Sequence, residues 1–95
     1  MIPMRPIKME IEYSPHFRKQ FEKASQKVKK AFYGRLNQFI KNPFQPMLRN
    51  HKLTGKLSKY RSINITGDWR ALFSESENGE KVTFEFLGTH SQLYK

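Results

Sequence analysis

The chain contains no cysteine, which excludes disulfide scaffolding, thiolate nucleophiles and cysteine-ligated metal centres. A chain without disulfides fits a reducing compartment, and a cytoplasmic location is expected. No apolar run reaches the length needed to cross a bilayer. The start, Met1-Ile2-Pro3-Met4-Arg5-Pro6, lacks the apolar stretch of a signal peptide and reads as a loose lead-in over residues 1–6. Glycine is sparse: one of the five lies inside a helical pattern, and the other four read as turn positions. None forms a phosphate-binding glycine-rich loop or a nucleophile elbow. No pair of histidines has zinc-ligand spacing, so neither a metal nor another cofactor is expected. Acidic residues are also scarce, at 8 against 18 Lys and Arg, for a formal net charge of +10.

The positive charge is concentrated in one part of the chain. Residues 1–61 hold 15 Lys/Arg and 3 Asp/Glu, whereas residues 62–95 hold 3 and 5. A one-sided cationic field on a small domain attracts polyanions, so nucleic acid or an acidic protein is the expected partner. The 95 residues make one domain, 1–95, and the 13 aromatic residues can fill its core.

Ile7, Met9, Ile11 and Tyr13 alternate with Lys8, Glu10 and Glu12, the period of a half-buried strand. Ser14-Pro15 reads as an N-cap followed by proline at the first helical position. Phe17, Phe21 and Ala24 share one face of the short helix that follows. Ser25 caps a second, longer helix whose apolar stripe is Val28, Ala31, Phe32, Leu36, Phe39 and Ile40. Asn42-Pro43 stops that helix. A loop leads to an alternation from Tyr60 to Ile65, with Arg61, Ile63 and Ile65 on one side and Tyr60, Ser62 and Asn64 on the other. Thr66-Gly67-Asp68 is a turn, Trp69 to Ser74 a third strand, Asn78-Gly79 a hairpin signal, and Val82, Phe84 and Phe86 a fourth strand. The order strand–helix–helix–strand–strand–strand predicts an α+β fold, a helical hairpin packed on a small, mainly antiparallel sheet.

Imidazoles are the side chains best suited to carry protons near neutral pH. His16 lies in the first helical turn, where the dipole disfavours its cation, and reads as a surface residue. His51 precedes the last three strands and His90 follows them, with Asp68 at a turn between. Neighbouring strands lie about 5 Å apart, so such strand-end groups can converge. Arg61 and Arg70 can grip a phosphate bidentately, or serve as edge-strand charges or as salt-bridge partners of Glu85. Trp69 faces away from Arg70 and suits core packing or a base platform. Tyr94 can stack on a base, donate a proton or pin the tail. Lys27, Lys29, Lys30 and Arg35 form a cationic helix face that can follow a nucleic-acid backbone or simply be solvated.

The pieces His51-Lys-Leu-Thr-Gly55, Tyr60-Arg61, Gly67-Asp68-Trp69-Arg70 and Gly88-Thr89-His90-Ser-Gln-Leu-Tyr94, in this order, resemble the RelE/ParE superfamily of bacterial toxins. The YafQ-like branch is the most similar, and the resemblance covers nearly all of the chain from Ile7. It implies a RelE-like fold and a messenger-RNA endonuclease of the ribosomal A site. It also implies a cognate, usually acidic antitoxin as partner, beside the ribosome and mRNA. Carried over, His51, Asp68 and His90 take the proton-transfer positions, Trp69 supports them, Tyr94 is the terminal aromatic and Arg61 a basic sheet position. Two positions depart from the branch: Asn64 replaces a histidine and Phe86 an arginine. Trp69-Arg70 is also similar to the HigB branch. ParE-like relatives inhibit DNA gyrase instead, and a relative with weakened catalysis would only bind RNA. The set His51, Asp68 and His90 favours the nuclease.

Overall fold

The first two helices each begin at a serine whose side chain replaces a missing backbone partner. A computed structural model describes residues 9–76 and 78–94; Ile7 and Lys8 of the expected first strand lie outside these. After β1 (Glu10–Tyr13), Ser14 Oγ accepts from Phe17 N at 3.0 Å and opens α1 (Pro15–Lys23). Ser25 Oγ accepts from Val28 N at 3.2 Å and opens α2 (Gln26–Lys41). Such caps satisfy helix-end N–H groups that have no partner within the helix. Lys23 and Lys41 in the last turns complement the helix dipoles.

The sheet follows in five strands: β2 (His51–Lys52), β3 (Arg61–Asn64), β4 (Trp69–Glu75) and β5 (Lys81–Thr89) join β1 in the order β1-β5-β4-β3-β2. Among the described residues, only the β1–β5 pairing is parallel. The two-residue β2 has no alternation to announce it in the sequence. Where β1 ends, α1 takes over the flank of β5. Ser14 Oγ donates to Glu85 O at 3.0 Å, and Leu87 N donates to Gln20 Oε1 at 2.7 Å. These bonds keep the edge of β5 satisfied beyond its partner strand.

The helical hairpin covers one face of the sheet, and the core lies between them. Phe84 is its hub, with ring centroids 5.3 to 6.0 Å from those of Tyr13, Phe17, Phe32, Phe39 and Phe73. Ile63, Ile65, Ala71, Val82 and Leu87 complete it from the sheet. Ile40 does not join the stripe and is 49% exposed. One residue beyond the buried Phe39, it is turned about 100° around the helix, past the contact with the sheet.

Two local features differ from simple alternation. The β4–β5 register shifts so that Leu72 pairs with Phe86 and Phe73 with Phe84. This bulge inserts Glu85 and turns Phe86 to the face away from the helices, so Leu87 instead of Phe86 continues the core series. The tail folds into one helical turn, α3 (His90–Leu93), set by a capping box. Thr89 Oγ1 accepts from Gln92 N at 3.3 Å, and Thr89 N donates to Gln92 Oε1 at 2.8 Å. Among the described residues, no helix is long and apolar enough to cross a membrane.

Candidate active site

On the sheet face that the helices leave open, a cleft of about 470 Å³ is lined by Arg49, His51, Asn64, Gly67, Arg70, His90 and Tyr94. Strand alternation brings Asn64 and Arg70 there: they pair across β3 and β4, while their neighbours Ile63 and Ala71 point into the core. Among the described residues, two guanidinium groups and no carboxylate line the cleft, a composition suited to an anion.

Each functional side chain has a local reason for its position. The 3-10 turn Pro46–Leu48 ends at Arg49, whose φ of 48° and ψ of 48° are left-handed. That turn aims the Arg49 carbonyl at His51 Nδ1, 2.8 Å away. A carbonyl only accepts, so Nδ1 carries the hydrogen and Nε2 of the neutral ring is left as an acceptor. Arg70 Nη1 donates to the carbonyl oxygens of Thr66, Gly67 and Trp69 at 3.1, 3.2 and 3.0 Å. Its Nε and Nη2 hydrogens have no partner among the described residues and are available to a ligand. His90 N donates to Asp68 O at 2.9 Å, which ties the start of α3 to the β3–β4 turn. Tyr94 closes the far side. Its ring stands edge-on to His90 with centroids 4.6 Å apart, and its hydroxyl donates to the buried Ser62 Oγ at 3.0 Å.

Of the residues singled out in the sequence, His51, Arg70, His90 and Tyr94 open onto this one cleft. Asp68 stands at its rim and takes part through its backbone carbonyl; its carboxylate has no hydrogen-bond partner among the described residues. Trp69 packs against the core. Arg61 lies on the helix-side face, where its Nε donates to Asn50 Oδ1 at 2.7 Å and its guanidinium lies 5.5 Å over the Phe44 ring. Asn50 Nδ2 in turn donates to Pro43 O at 3.1 Å, so Arg61 braces the loop that carries Arg49 and His51. Neither Arg61 nor Arg70 makes an ion pair with Glu85, whose carboxylate accepts from Ser74 Oγ at 3.0 Å. The cationic residues of α2 belong to the opposite side of the sheet. Lys27 and Lys30 are exposed, the Lys29 ammonium lies 5.7 Å over Phe21, and Arg35 is tied to Ile65 O and Met47 Sδ. Arg49 was not singled out. Its only sequence signal is its place two residues before His51, since a left-handed arginine is not announced by residue type.

Another hollow, about 360 Å³, lies beside β1 and the helices and is lined mainly by Tyr13, Phe17, Phe21, Phe32 and Tyr33. It brings no two proton-transfer groups of different strands together. No three His, Cys, Asp or Glu gather as a metal site among the described residues.

A family model described as the bacterial toxin YafQ of type II toxin-antitoxin systems matches residues 9–95. A search of curated proteins returns no significant match. Among solved structures, Escherichia coli YafQ of strain BL21(DE3) superposes with a TM-score of 0.76 at 23% identity, covering 93% of this chain and 100% of that one. A YoeB/ParE toxin from Agrobacterium tumefaciens gives 0.72 at 16%, covering 86% and 99%. The E. coli DinJ-YafQ toxin-antitoxin complex gives 0.74 at 23%, covering 93% and 99%. At these identities the structural likeness is one of fold.

Proposed function

The chain belongs to the YafQ family of type II toxin-antitoxin toxins, and from that premise we propose that it is an endoribonuclease that cuts messenger RNA on the ribosome without a metal ion. The observation that carries this reading is that His51 of β2 and His90, just past β5, open with Arg49 and Arg70 onto one cleft.

RNA supplies its own nucleophile. His51 Nε2, unprotonated in the neutral ring, accepts the ribose 2′-OH proton as O2′ attacks phosphorus. Arg70, and Arg49 beside it, offset the charge that gathers on the phosphorane oxygens, a contribution often larger than proton transfer. His90 in its protonated form gives its proton to the departing 5′ oxygen. The P–O5′ bond breaks as the P–O2′ bond forms, giving a 2′,3′-cyclic phosphate and a 5′-OH. Asp68 fixes the start of α3 through its carbonyl, and its free carboxylate stabilises an imidazolium at the rim. Tyr94 packs against His90 and offers a ring to a base. The exposed Lys27 and Lys30 on the opposite side contact ribosomal RNA. A cognate antitoxin, as in the DinJ-YafQ complex, neutralises the toxin; the surplus of positive charge suits an acidic one.

The test adds purified protein to a translation extract, maps mRNA 5′ ends with and without ribosomes, and assays gyrase in parallel. New 5′-OH ends that need ribosomes are expected and persist in chelator. Gyrase inhibition with intact mRNA would replace this reading by the ParE-like one.

A further inference from the structure

We propose that Phe86 and Tyr60, with His16 behind them, form a stacking subsite for the nucleobase next to the scissile linkage; this rests on the ribonuclease reading above. The starting observation is the β-bulge. Without the inserted Glu85, Phe86 would fall in the buried series of Val82 and Phe84. The bulge places it instead on the open face that holds the cleft. Bulges of this kind commonly re-aim a side chain beside a functional site.

The aromatic patch lies on the same sheet face as the cleft, with the Tyr94–Ser62 bond and the Gln92 and Leu93 side chains over Gly88 between the two. Gly88 pairs with Arg70, a cleft residue, and Phe86 lies two residues before it on the same strand face, about 7 Å away. That separation suits the next nucleotide of an extended single strand. Tyr60 stands edge-on to Phe86 with centroids 5.4 Å apart at 90°, and His16 stands edge-on at 5.1 Å and 70°. Phe86 and Tyr60 are both half-buried, so each keeps part of its ring in contact with solvent. Of the helical hairpin, α1 reaches this patch through His16 at the edge of β5. Charge selects the occupant: the Lys59 ammonium lies 5.8 Å over the Tyr60 ring, and Arg70 and Arg49 line the adjoining cleft. Glu85, the carboxylate beside Phe86, is held by Ser74. A flat, uncharged ring carried on a polyanionic strand matches this combination of aromatic surface and flanking cations.

The alternative is that Phe86 only roofs Leu72, its cross-strand partner, which is 1% exposed. Phe86→Leu separates the two roles, because leucine keeps an apolar roof and removes the π-face. The probe is a short RNA with a 2′-deoxy sugar at the scissile position, which blocks cleavage, and 2-aminopurine as the neighbouring base. Quenching of its fluorescence on binding is expected with the native protein. Phe86→Leu and Tyr60→Ala should weaken binding about 5- to 100-fold and reduce the quench, whereas Phe86→Trp should restore both. On ribosomes, Phe86→Leu should raise KM more than it lowers kcat and should blur the preference for the base beside the cut. Absent quenching with the native protein, or equal affinity and quench with Phe86→Leu, overturns the subsite. Ribosome-dependent cleavage that persists alongside such a result leaves the nuclease reading standing. Loss of cleavage with intact quenching refutes the nuclease reading alone.

Discussion

At the scale of single residues, the cleft depends on two backbone-held groups. His51 and His90 are exposed, so removing either imidazole leaves the core untouched, and His90→Ala loses only the edge contact with Tyr94. His51→Ala or His90→Ala should lower the single-turnover rate by about 10²–10⁴ with little change in the melting midpoint. Arg70→Lys tests the fixed fork. A single ammonium cannot hold three turn carbonyls and also present two parallel donors to a phosphate, so kcat should fall about 10²-fold. Arg49 separates backbone from side chain. Arg49→Gly keeps the left-handed turn and the bond to His51 Nδ1, whereas Arg49→Val strains that turn by about 1–2 kcal/mol. The ¹⁵N shifts of His51 should therefore report an Nδ1–H tautomer in the glycine variant and a mixture in the valine variant. In the core, burial first and then the neighbouring Tyr33 raise the Tyr13 phenol above its ordinary 10.0, with Arg18 opposing. The folded state favours the neutral phenol, so this contribution to stability is full below pH 10 and is lost as the pH rises through the raised value.

At the scale of elements, the sequence revealed those parts that repeat and concealed those set by one-off backbone geometry. The serine caps, both helices, the hairpin signal and the long strands were legible because capping chemistry and periods of 3.6 and 2 are written in residue type. The two-residue β2, the bulge at Glu85 and the outward turn of Phe86 were not, because a register shift changes no residue. Of the candidate site, His51, His90, Arg70 and Tyr94 were legible as strand-end polar groups. The bracing role of Arg61 and the presence of Arg49 depend on how the loop from Asn42 to Asn50 folds back. Gly88 shows how closely strand and tail fit. A Cβ there would lie 3.1 Å from Gln92 Oε1 and 3.3 Å from Leu93 side-chain atoms. Gly88→Ala should displace α3, which begins at His90, and lower activity at least about tenfold while most of the stability remains. Phe84→Ala removes the hub of the aromatic core and should cost about 3–5 kcal/mol in urea unfolding.

At the scale of the whole molecule, the sheet separates two surfaces. Its open face carries the cleft with Arg49, Arg70 and the two imidazoles, and its helix side carries the exposed lysines of α2. On the proposed ribonuclease function, one face would handle the messenger while the other would contact ribosomal RNA. Charge reversal at Lys27 and Lys30 should weaken ribosome binding and flatten its dependence on salt. It should leave the quenching of the short 2-aminopurine RNA unchanged, since that probe engages the open face alone.

The central claim is that two imidazoles share one phosphodiester. It is tested most directly by single-turnover cleavage of mRNA on programmed ribosomes, comparing the native protein with His51→Ala and His90→Ala and identifying the chemistry of both new ends. A 2′,3′-cyclic phosphate and a 5′-OH from the native protein, with each variant slowed by at least about 10², is the predicted result. Products ending in a 3′-OH and a 5′-phosphate, or either variant cutting at the native rate, would contradict it.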